Sequence, residues 1–82
     1  MKIMDRVLKA LFRRRKDMSA KEIAEISGLK LSQVTQAIYQ LLNRKMIIKT
    51  KVDEGGNGPK KPYIRLRDIH YTEKYLIARG ML

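Results

Sequence analysis

One stretch of this 82-residue chain carries side chains suited to reading another molecule rather than transforming it. Its three glutamines, Gln33, Gln36 and Gln40, share a short segment with Ser32, Thr35 and Tyr39. Amides and hydroxyls present donors and acceptors without net charge. A Gln can pair bidentately with adenine, and Ser or Thr can serve several bases. In a chain that is 33% charged, an exposed polar but uncharged face points to readout of base edges rather than to simple solvation. Catalytic chemistry finds no comparable constellation. His70 is the only histidine and cysteine is absent, so zinc ligation is implausible. The run Asp53, Glu54, Gly55, Gly56, Asn57, Gly58 starts like a calcium loop, but its twelfth position is Ile64 rather than Glu. There is no glycine-rich phosphate loop and no nucleophile beside a base. The expectation is a binding protein, not an enzyme, with no cofactor, metal or evident small-molecule ligand.

Charge points the same way. Nineteen Lys and Arg face eight Asp and Glu, a net charge of +11, which favours a polyanionic partner. Lys49, Lys51, Arg65 and Arg67 alternate along two extended runs and are expected on one side of a hairpin, with Lys60 and Lys61 near its tip. With Lys30, these cations can neutralise phosphates beside the polar face. Arg13, Arg14, Arg15 and Lys16 could also grip phosphate, or simply suit the negative end of a helix. One Phe, four Tyr and no Trp are few platforms for stacking unpaired bases, which favours duplex DNA over RNA. No uncharged apolar run approaches the roughly 20 residues of a membrane span, and the start is broken by Lys2, Asp5, Arg6 and Lys9. A cytoplasmic, nucleoid-associated protein is expected.

The elements that must position these groups follow from periodicity. Residues 1–15 read as a helix with Ile3, Met4, Val7, Leu8, Leu11 and Phe12 at helical spacing. Ser19 and Glu22 form a capping box that opens a second helix, with Met18 and Ile23 at the staple positions. Ile23, Ala24 and Ile26 are expected inward, and Gly28 ends the helix. A third helix over 31–44 turns Leu31, Val34, Ile38, Leu41 and Leu42 inward and the Ser32–Gln40 polar set outward. The period then becomes two. Ile48, Thr50 and Val52 alternate with Lys49 and Lys51; Ile64 and Leu66 alternate with Tyr63, Arg65 and Arg67. The hairpin spans 48–67, and 68–82 form a last helix capped by Asp68 or Thr72. The fold class expected is α+β, mainly helical with a small hairpin.

The order helix, helix, turn, helix, hairpin, together with Ala24-Glu25-Ile26-Ser27-Gly28-Leu29-Lys30-Leu31-Ser32-Gln33-Val34-Thr35-Gln36, resembles the winged helix-turn-helix of MarR-, PadR- and ArsR-like transcriptional regulators. Leu41 through Met46 and Ile47 is similar to their passage from recognition helix to wing. Gly58-Pro59-Lys60-Lys61-Pro62-Tyr63-Ile64-Arg65-Leu66 is similar to their basic wing. The likeness spans about residues 3–67. It implies a DNA-binding domain over 1–67, with the third helix in the major groove and the wing tip, Lys60 and Lys61, against the minor groove. Two positions depart from the pattern. Lys30 stands where a Ser or Thr often caps the recognition helix, and Lys45 where Gly often precedes the hydrophobic pair.

Surplus apolar surface predicts a second copy. The apolar residues of the first helix cover roughly 200° of arc, whereas one core needs a stripe of about 100°. The last helix has two apolar faces, Tyr71, Tyr75, Ala78 and Leu82 on one and Ile69, Leu76 and Met81 on the other. A homodimer is expected, built on Ile3, Val7, Tyr71, Tyr75, Leu76, Met81 and Leu82. The alternatives are an RNA-binding or ribosome-associated basic protein and a winged helix that binds protein.

Overall fold

A computed structural model describes residues 2–51 and 62–82. Four helices and a three-stranded antiparallel sheet follow in the order α1 (Ile3–Arg14), β1 (Met18–Ser19), α2 (Ala20–Ser27), α3 (Leu31–Asn43), β2 (Ile47–Lys51), β3 (Pro62–Leu66) and α4 (Ile69–Ala78). The class is α+β and mainly helical. Among the described residues no helix is long and apolar enough to cross a membrane.

The helix boundaries have local causes. At α2, the Ser19 hydroxyl accepts from the Glu22 amide at 3.2 Å while the Glu22 carboxylate accepts from the Ser19 amide at 3.4 Å. Gly28 ends the helix at φ 71°, and its N–H donates to Ala24. The ends of α3 and α4 share one device. The Lys45 and Met46 amides turn back to the carbonyls of Leu42 and Leu41, both at 3.0 Å; those of Gly80 and Met81 turn back to Ile77 and Leu76, at 3.0 and 2.9 Å. Each is a Schellman closure, which needs a left-handed residue and drops the next side chain onto the core. Lys45 takes that conformation at φ 58° where Gly80 takes it at φ 73°. Met46 and Met81 are accordingly buried.

The core is continuous. Val7, Leu8 and Leu11 of α1 meet Met18, Ile23, Val34, Ile38, Leu41, Ile47, Ile64 and Leu76. The sheet has the order β1-β3-β2. Strand β1 was not legible from the sequence; it pairs Met18 with Ile64 and Ser19 with Tyr63.

Several expectations need correction. Leu31 and Ile26 point outward, 52% and 42% exposed, because the first turn of α3 and the last of α2 overhang the core. In the hairpin, β2 and β3 pair Ile47 with Leu66, Ile48 with Arg65 and Lys49 with Ile64. Residues directly opposite share a face, and Ile47 and Ile64 are both buried. The buried apolar position of β2 is therefore Ile47 rather than Ile48, and Lys49 shares its face while remaining exposed. Lys49 thus lies on the face opposite that of Arg65, not beside it. A slip of one residue reverses every side chain of a strand. Val52 lies outside the described residues.

The supposed dimer surface is partly consumed within the chain. Val7 and Leu76 are fully buried and Met81 is 8% exposed. Leu76 faces α1, and the Schellman turn sends Met81 to the same core. Tyr75 is half-buried and donates its hydroxyl to Asp5 at 2.9 Å. Asp5 is itself 2% exposed and also accepts from Arg79 Nε at 2.7 Å. A buried carboxylate needs such partners, and here they fasten α4 to α1. Segment 68–82 is therefore part of the one core. Ile3, Tyr71 and Leu82 remain exposed, as do Ile69 and Ile77.

Burial raises the Tyr75 phenol above its ordinary value of 10.0, and the Asp5 hydrogen bond and charge add to the rise. The folded state holds this proton more tightly than the unfolded chain. The associated stability is present below pH 10 and is lost as pH rises through the elevated folded value. Asp5→Ala should cost about 1–2 kcal/mol in urea denaturation, because the half-buried Tyr75 hydroxyl loses its acceptor. Combined with Tyr75→Phe, its effect should be less than additive by about 0.5–3 kcal/mol. In an absorbance titration the Tyr75 phenol should ionise above its ordinary value of 10.0, a late phase that Tyr75→Phe should remove. Strict additivity would show that the contact carries no energy.

Candidate nucleic-acid interface

Helix α3 has a single apolar stripe, and burying Val34, Ala37, Ile38 and Leu41 leaves only one direction for the rest. Ser32, Thr35, Gln36, Tyr39 and Gln40 are exposed, Tyr39 to 70%. With Leu31 they line an open depression of about 720 Å³. No carboxylate belongs to α3.

Two grooves flank this surface. On one side Lys2, Ile3 and Met4, at the start of α1, face Gln33, Gln36, Ala37 and Gln40 across about 440 Å³. On the other, Lys49 and Ile64 of the sheet meet Thr35, Ile38, Tyr39 and Leu42 around a pocket of about 120 Å³ that also touches Ala20. Lys30 stands exposed just before the helix. Three cations, Lys2, Lys30 and Lys49, thus frame a neutral polar face. Lys2 was missed by sequence reasoning; only the packing of the start of α1 against α3 places it here.

The polar side chains are not equally free. Gln33 is half-buried, and its Oε1 accepts from the Lys30 amide at 3.0 Å. It does part of the capping that Lys30 cannot do with its own side chain, so it is a positioning residue more than an outward reader. The Thr35 hydroxyl donates to Leu31 O at 2.9 Å and offers only its acceptor lone pairs outward. Gln36 and Gln40 border both the central depression and the α1 groove.

The remaining expected cations lie elsewhere. Arg65 and Arg67 border a groove with Arg15 and Lys16, at the C-terminal end of α1, away from the polar face of α3. Arg65 pairs with Asp17 at 3.9 Å, and Asp17 accepts from the Thr50 hydroxyl at 3.1 Å. Arg13 and Arg14 are exposed on the last turn of α1, where cations suit the helix dipole. Lys51 pairs with Pro62 at the far end of the ladder; its side chain, Lys60 and Lys61 lie outside what the structure describes. Among the described residues no cluster of His, Cys, Asp or Glu could hold a metal ion.

No known protein family matches this chain, and no curated protein is significantly similar to it.

Proposed function

We propose that the protein is a winged helix DNA-binding protein that reads duplex DNA with the exposed face of α3 and regulates transcription. The observation that carries this reading is a helix face of Ser32, Thr35, Gln36, Tyr39 and Gln40 with no carboxylate on it, bordered by Lys2, Lys30 and Lys49. A helix seated in the major groove needs uncharged donors and acceptors toward the base edges and cations toward the two phosphate ridges. The β2–β3 hairpin serves as the wing in this reading. Exposed Ile3, Ile69, Tyr71, Ile77 and Leu82 support a homodimer on a two-fold-related site.

Three outcomes are expected. Duplex binding followed by fluorescence anisotropy should be strongly salt-dependent. With about six phosphates neutralised, log K should fall against log salt with a slope near −5, and Lys49→Ala should reduce that slope by about one. A flat dependence would rule the reading out. Gln36→Ala should cost about 1–3 kcal/mol on the preferred site and relax the preference at one base pair, with little loss on scrambled DNA. An unchanged sequence preference after selection would remove Gln36 from the reading set. Analytical ultracentrifugation should find a dimer that Tyr71→Glu with Ile77→Glu dissociates; a monomer at all concentrations would refute the dimer.

A further inference from the structure

The cations displaced from the α3 face converge on a groove of their own. Arg15 and Lys16, just past α1, meet Arg65 and Arg67 across about 600 Å³ of open space, with the start of α4 forming another part of the wall. Two features separate this groove from the α3 surface. Arg65 projects from the sheet face opposite that of Lys49, as the pairing of Lys49 with Ile64 and of Arg65 with Ile48 requires. The α3 surface adjoins the first residues of α1 and this groove adjoins its end; twelve helical residues hold them about 18 Å apart.

Four cations line the groove against two carboxylates, so its own residues cancel only part of the charge. Its two carboxylates are engaged: Asp17 with Arg65 and Thr50, and Asp68 as the cap of α4, accepting the Tyr71 amide at 3.0 Å. Arg15 lies over the Phe12 ring at 5.1 Å, which leaves its charge intact. Lys16 and Arg67 have no ion pair among the described residues. The first amides of α4, at Ile69 and His70, have no intrahelical partner and add the positive end of a helix dipole.

The lining also defines the ligand. No Tyr, Phe or Trp is among the described residues that border the groove, and His70 is the one ring there, so the stacking surface for unpaired bases is small. No Ser, Thr, Asn or Gln is among its described lining residues, in contrast to the α3 face. An excess of cations without that set of amides and hydroxyls suits contact with phosphates, which is independent of sequence. We infer that this groove holds the phosphate backbone of a second DNA duplex, so that the protein joins two duplex segments, one on α3 and one here. The inference rests on the reading of α3 as the first DNA interface.

The test is capture of a fluorescent duplex by a bead-bound duplex of different sequence in the presence of the full chain, alongside anisotropy on a single short duplex. Wild-type protein should bind the single duplex and capture the second. Lys16→Glu with Arg67→Glu alters two exposed side chains; it should reduce capture about tenfold or more while single-duplex affinity changes less than about threefold. Lys16→Gln with Arg67→Gln should fall between. An equal charge change at exposed Arg6 and Lys74 should leave capture intact, and circular dichroism should show all variants folded. Wild-type binding without capture would overturn the inference and leave the α3 reading standing. So would capture that survives the charge reversal, which would mean bridging by two α3 faces of a dimer. An equal fall in both assays would assign the groove to the same duplex as α3. Absence of any duplex binding would remove both readings.

Discussion

Everything outward on α3 depends on what is buried behind it. Val34, Ala37, Ile38 and Leu41 occupy one stripe of the helix, packed on α1, and are at most 7% exposed. Each large apolar side chain taken fully out of water contributes about 1.5–3 kcal/mol, so rotating α3 by even a fraction of a turn would forfeit several of them. The helix therefore has one permitted rotation about its axis. Gln36, Tyr39 and Gln40 point outward because the apolar positions leave them no alternative. The Gln33–Lys30 contact and the Schellman closure at Lys45 set the ends of the helix, and hence how far the polar face extends.

The same packing divides the positive charge into two surfaces. Helix α1 is the spacer. Its N-terminal end adjoins the polar face of α3 and its C-terminal end carries Arg15 and Lys16. The sheet completes the division, because its pleat sends Lys49 toward α3 and Arg65 away from it. A net charge of +11 spread evenly would give weak attraction in every direction. Three of the cations border the neutral helix face and four line the groove near the start of α4, which makes two surfaces of different character. One mixes cations with amides and hydroxyls; the other sets four cations against two carboxylates and has no side-chain amide or hydroxyl on its described lining.

The Asp5–Tyr75–Arg79 cluster ties the end of the chain to its beginning, and it alters the meaning of the C-terminal segment. Helix α4 carries little amphipathic signal, yet Thr72, Leu76 and Met81 are buried because the carboxylate of Asp5 anchors its last turns against α1. In the sequence Asp5 stands just beyond the edge of the apolar arc of the first helix, and its burial in the fold requires partners. The partners lie 70 and 74 residues away, so no local pattern could name them.

Local chemistry in the sequence determined the four helices, the capping box at Ser19, the helix stop at Gly28, the hairpin and the outward polar face of α3, because each is dictated by residues within a few positions of one another. Tertiary structure alone decided the rest. Strand β1 is two residues long and exists only because β3 offers it an edge. The hairpin register was out of reach because Ile47 and Ile48 are both apolar, and only the core beneath the sheet chooses between them. Val7, Leu76 and Met81 look like surplus surface until α1 and α4 are packed together, since apolar arc measured along one helix cannot reveal which neighbour covers it. The division of the cations into two surfaces follows from that register and from the length of α1, which are properties of the folded chain rather than of any segment.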